Sequence, residues 1–127
     1  MPHRLHLEQF GPIHALPILH YRLESAHLVR QAVERIKPDC LAIELPATLE
    51  LQFLRGVGRL PQISVLSYET PAATGPGRTM YLLIEPADPL VEAARLAQEQ
   101  RIPLALVDVD VDHYPAHDEP LPDSYAI

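Results

Sequence analysis

The sequence predicts an α/β fold: a mostly parallel sheet of about 4–5 strands with helices packed on it, assembled from βαβ units. Short apolar runs alternate with segments whose apolar positions recur every three or four residues, at a spacing of about 20–30 residues. The runs Cys40–Ile43, Met80–Ile84 and Leu104–Val107 are continuously apolar, as strands covered on both faces of a parallel sheet are. A chain of 127 residues that is 47% hydrophobic and 21% charged suits one hydrophobic core.

Arg4 to Leu19 has room for one or two strands, and Pro2, Pro12 and Pro17 restrict them to short or edge pieces. From Leu23 the period changes. Leu23, Ala26, Val29, Val33 and Ile36 form one helical stripe, Glu24 and Ser25 suit its start, and Lys37-Pro38-Asp39 ends it. Cys40–Ile43 is the next strand, with Cys40 expected as a small core residue. Ala47 to Val57 is helix-compatible, with Leu49, Phe53 and Leu54 apolar and Gly56 and Gly58 stopping it. Ile63–Leu66 is a strand, Thr70 to Arg78 a Pro/Gly/Ala loop, and Met80–Ile84 another strand. Asp88-Pro89 opens a helix, with Asp as N-cap and Pro in the first turn. Leu90, Val91, Ala94, Leu96 and Ala97 supply its apolar face, and Ile102-Pro103 closes it before the strand Leu104–Val107. The expected organisation is a single α/β domain over residues 1–112. A Pro/Asp/His-rich extension over 113–127 is expected to begin a further region, the chain being the front of a longer protein.

Charge and composition exclude several functions. Ten Lys and Arg against 17 Asp and Glu leave a formal net charge of −7, which repels phosphate backbones and disfavours nucleic-acid binding. No apolar run approaches the roughly 18–20 residues that span a bilayer. A single cysteine forms no internal disulfide, so a reducing, cytoplasmic setting is expected. Gly56-Val57-Gly58 and Gly75-Pro76-Gly77 lack the context of a dinucleotide or phosphate loop, and Ser64 and Ser67 lack a nucleophile elbow.

Parallel α/β sheets place ligands beyond the carboxyl ends of their strands. Here those ends carry His14 or His20, Glu44, Glu69, Glu85 and Asp108 with Asp110. Imidazole and carboxylate suit acid–base work or a divalent ion such as Zn, Mn, Co or Fe. Five of the seven histidines lie within the first 27 residues; His3, His6 and His27 read as surface residues, whereas His14 and His20 are placed to line a cleft. His113 and His117 are four apart, but Pro115 between them favours a loop.

The run His20-Tyr21-Arg22-Leu23-Glu24-Ser25-Ala26-His27-Leu28-Val29, continued by Ile36-Lys37-Pro38-Asp39-Cys40-Leu41-Ala42-Ile43-Glu44-Leu45, resembles the opening of TraB/PrgY/GumN proteins. That family belongs to a superfamily with Tiki proteases, ChaN haem-binding proteins and erythromycin esterases. Its pattern is a strand ending in Gly-x-x-His, a helix, Pro-Asp, a strand ending in Glu-Leu and a later strand ending in Ile-Asp. Leu106-Val107-Asp108 matches the last of these. Uncharacterised bacterial proteins encoded beside MoxR-type AAA+ ATPases and von Willebrand A-domain proteins are similar over the same stretch and share a residue like Glu85. The resemblance spans roughly residues 10–110. Ungapped, it places the family histidine on His20, with Pro17 where the glycine stands. Gly11 to His14 supplies the full Gly-x-x-His but needs six inserted residues before the helix, and both assignments stay open. The second Gly-x-x-His of the Tiki-type proteins is missing.

The resemblance implies a metal-dependent hydrolase-like domain acting on a small molecule or peptide. His20, Glu44 and Asp108 would be its catalytic residues, and His14, His20, Glu44 and Glu85 its metal ligands. The alternative is a non-catalytic α/β module that binds a ligand or a protein, as a homo-oligomer or with a different partner. Its recognition loops would be the Pro-rich segments 71–76 and 115–122.

Overall fold

The computed structural model describes residues 4–70 and 77–108. The expected extension over 113–127, with His113 and His117, lies outside the described residues, as do Asp110 and residues 71–76 and 115–122.

The chain begins with an antiparallel hairpin, β1 (Glu8–Phe10) and β2 (Ile13–Ala15), turned by Gly11 at φ 58°. Helix α1 (Leu23–Ile36) follows. It buries Ser25, Ala26, Val29, Ala32 and Val33 while Leu23 stays 68% exposed, so the buried stripe sits slightly off the predicted one. Strand β3 (Leu41–Pro46) leads through a 3₁₀ turn at Ala47–Leu49 into α2 (Glu50–Gly58), with Leu49, Phe53 and Val57 inside. Strands β4 (Ser64–Thr70) and β5 (Arg78–Ile84) precede α3 (Pro89–Gln100), and β6 (Leu104–Asp108) ends the described chain.

The architecture is mixed α/β, but the strands pair differently from the expected parallel sheet. Among the described residues one pair is parallel, β3 with β6, while β4 and β5 pair antiparallel from Ser64↔Ile84 to Thr70↔Arg78. The physical reason is the connection. Residues 71–77 are enough for a hairpin loop and too few for a parallel crossover, which takes a dozen or more residues.

Coverage differs as well. In β3, Ile43 and Leu45 are buried while Ala42 and Glu44 are exposed, so this strand has helices on one face and an open second face. Cys40, expected in the core, is exposed, because it precedes the first paired residue, Leu41. The core lies between the inner faces of the strands and the three helices. Phe53 and Ala94 are fully buried and Ile84 and Val91 nearly so, each large side chain contributing about 1.5–3 kcal/mol by leaving water.

Helices α1 and α3 pack side by side and run in the same direction. Tyr21, just before α1, meets the start of α3, while Lys37 and Gln100, at the far ends, line one shallow groove. Arg30 and Arg95 both reach Glu92, at 3.4 Å and 2.8 Å, tying the helix surfaces together. Among the described residues no helix is long and apolar enough to cross a membrane.

Candidate functional site

Asp88 is the N-cap of α3, with extended backbone (φ −77°, ψ 132°) and Pro89 behind it. Its Oδ2 accepts from the Leu90 and Val91 amides at 3.0 and 3.2 Å, which satisfies two of the N–H groups every helix start leaves unpaired. Its Oδ1 does something else. It accepts from His20 Nδ1 at 3.0 Å and from the Tyr21 amide at 3.0 Å. The carboxyl group is fully buried and spends both oxygens on donors.

This arrangement sets the protonation of both partners. Burial pushes the Asp88 carboxyl up, but the donors overcome it: His20 first, then the Tyr21 and Val91 amides and the His20 charge, so the group is held below its usual range. The hydrogen bond to Asp88 raises the His20 imidazole above its ordinary value; partial burial opposes this, and the charges of Asp88 and Glu44 add to it. Since a carboxylate only accepts, Nδ1 of His20 carries the proton and Nε2 of the neutral ring presents its lone pair. The His20 side chain is 45% exposed. It is a histidine fixed at one nitrogen and available at the other.

Glu44 reaches this site through space from the exposed face of β3. Asp108 ends β6 in register with Pro46, at the same carboxyl end of the parallel pair. Its charge is felt by Tyr68, whose hydroxyl is raised by burial, by Tyr21 and by Asp108. Tyr21 has its ring centroid 5.8 Å from that of His20, and its Oη accepts from the Leu83 amide of β5 at 3.1 Å.

Of the predicted residues, His20 and Glu44 are brought within electrostatic reach of each other, and Asp108 stands on the same end of β3–β6. His14 lies exposed on the β1–β2 hairpin and Glu85 half-buried after β5. Among the described residues no hydrogen bond or ion pair joins either of them to His20, Asp88 or Glu44. Glu69 stands opposite Thr79, at the other end of the β4–β5 hairpin from Glu85, because that pair is antiparallel. Among the described residues no group of three or more His, Cys, Asp or Glu gathers as a metal ion would require.

The sequence marks Asp88 only as a helix cap and gives Tyr21 and Tyr68 no role. The signal available was the Asp-Pro pair beside an unusually histidine-rich N-terminal segment. Nothing local linked two residues 68 positions apart.

Comparison with known proteins adds no relative. The chain matches no protein-family model, no curated protein and no solved structure.

Proposed function

We propose that the chain carries a hydrolytic acid–base site centred on His20. The observation that supports it most is the 3.0 Å contact between His20 Nδ1 and the buried Asp88, which leaves Nε2 free to act as a base. In this reading Nε2 takes a proton from a water molecule as the water oxygen attacks a carbonyl carbon. Asp88 holds the ring and stabilises the imidazolium. The imidazolium then returns its proton to the departing oxygen or nitrogen, releasing an acid and an alcohol or amine. Glu44 adds negative charge that favours the imidazolium, and Asp108 lies at the margin. The hydrolytic class comes from the resemblance to TraB/PrgY/GumN proteins, which also implies a divalent ion. The described residues gather no three-ligand set for one.

The test is turnover of 4-nitrophenyl esters and peptide anilides by the purified chain, compared with His20→Gln and Glu44→Gln. Wild-type turnover should rise with pH through the His20 titration, and His20→Gln should lose about 100-fold or more. Equal rates in wild type and His20→Gln overturn the proposal.

A second reading, a ligand- or protein-binding module, has one observation in its favour. Val65 and Tyr81 stand 60% and 70% exposed on the same face of the β4–β5 hairpin. Wild-type chain that hydrolyses nothing yet binds a partner, with binding lost in Tyr81→Asp, would favour it.

A further inference from the structure

Among the described residues, three non-glycine residues adopt left-handed backbone: Tyr21, Lys37 and Arg101. Lys37 and Arg101 are the C-caps of α1 and α3, where that conformation closes the helix and their amides donate to Val33 and Ala97. Tyr21, at φ 58°, has no such reason. It precedes a helix, and left-handed backbone is uncommon for an aromatic residue.

What holds it there is visible at both ends of the residue. The Tyr21 amide donates to Asp88 Oδ1, the same oxygen that receives His20. Its phenol oxygen, at the other end, accepts the Leu83 amide of β5. The residue therefore bridges the start of α3 and the edge of β5, with its ring against the imidazole at 5.8 Å and 44°. Strained backbone that neighbours over-determine is a feature of sites where one side chain must be held in place.

We propose that Tyr21 is a positioning residue for His20: its phenol, anchored on the Leu83 amide, holds the chain in the turn that delivers His20 Nδ1 to Asp88. The catalytic meaning of this placement rests on the hydrolytic reading, but the placement itself is measurable without any substrate. An unanchored turn would release His20 from Asp88, and the free imidazole would carry its neutral proton mainly on Nε2.

The experiment records long-range ¹H–¹⁵N spectra of the imidazoles, with His20→Gln assigning the signal, in wild type, Tyr21→Phe and Tyr21→Gly. Wild type should show His20 protonated at Nδ1. In Tyr21→Phe the Leu83 amide should exchange at least tenfold faster and the His20 proton should move toward Nε2, while α3 amides keep their protection. Tyr21→Gly, which suits left-handed backbone but has no phenol, separates strain from anchoring: it should also lose the Nδ1 signature. An unchanged His20 signature in both variants overturns the proposal. With an active wild type, Tyr21→Phe should lower kcat about tenfold and leave KM nearly unchanged, and Tyr21→Gly should not restore it. If His20→Gln leaves the ester rate unchanged, the hydrolytic reading fails, and the spectra still decide whether Tyr21 places the ring.

Discussion

Asparagine at position 88 would change little in volume and separate two roles. Its carbonyl oxygen still caps α3 through Leu90 and Val91, since Asn is as good an N-cap as Asp. Its amide then faces His20 and the Tyr21 N–H, and an amide donates where the carboxylate accepted. Asp88→Asn is expected to keep the cap, to lose about 1–3 kcal/mol because the Tyr21 N–H then faces a donor, and to leave His20 protonated on Nε2, with loss of any His20-dependent rate; urea unfolding checks the stability, imidazole ¹⁵N shifts the tautomer and turnover the rate. Asp88→Ala removes the cap and strands buried amides as well, so it should cost about 2–4 kcal/mol in urea unfolding. The local half of this chemistry was legible, because Asp-Pro before an apolar stripe announces a capped helix start. The other half was not, for the His20 contact depends on how α1 and α3 are laid together.

Helix α2 crosses β5 with almost no space between them. A Cβ on Gly56 would run into the side chain of Ile84, itself 1% exposed and unable to retreat. Gly56→Ala should therefore destabilise by about 1–3 kcal/mol despite its better helix propensity, read as a lower midpoint in urea. The reverse holds at the end of α1. Lys37 occupies a left-handed C-cap that glycine adopts freely, so Lys37→Gly should raise stability by up to about 1 kcal/mol in the same measurement. Helix positions were readable from the sequence because their period is local. Gly56 reads in the sequence as a helix stop but lies inside α2 as a contact point, since a glycine that permits close approach and one that ends a helix look alike in one dimension. Strand direction was equally hidden. The run of strands and helices suggested parallel crossovers throughout, and the shortness of the link over residues 71–77 was the clue that β4 and β5 form a hairpin.

For the folded chain as a unit, the His20–Asp88 contact makes stability depend on pH in two directions. His20 has a folded value above its ordinary 6.5, so its contribution is complete below 6.5 and fades as pH rises through the folded value. Asp88 has a folded value below its ordinary 3.8, so its contribution is complete above 3.8 and fades as pH falls through the folded value. Thermal unfolding should show the contact contributing fully between these limits, with the alkaline-side decline absent in His20→Gln. A flat difference between wild type and that variant from pH 5 to 8 would contradict this account. The acidic and imidazole groups were legible as a list of strand ends, and the Glu44 charge is felt at His20. Glu69 and Glu85 fall at opposite ends of the β4–β5 hairpin, because strand direction was not contained in that list. An aspartate at the head of the third helix would be kept by selection for folding alone, even in a lineage that had lost all chemistry. The half-exposed imidazole contributes less to folding than the buried carboxylate, so its retention or loss is the better witness for or against the proposed reaction.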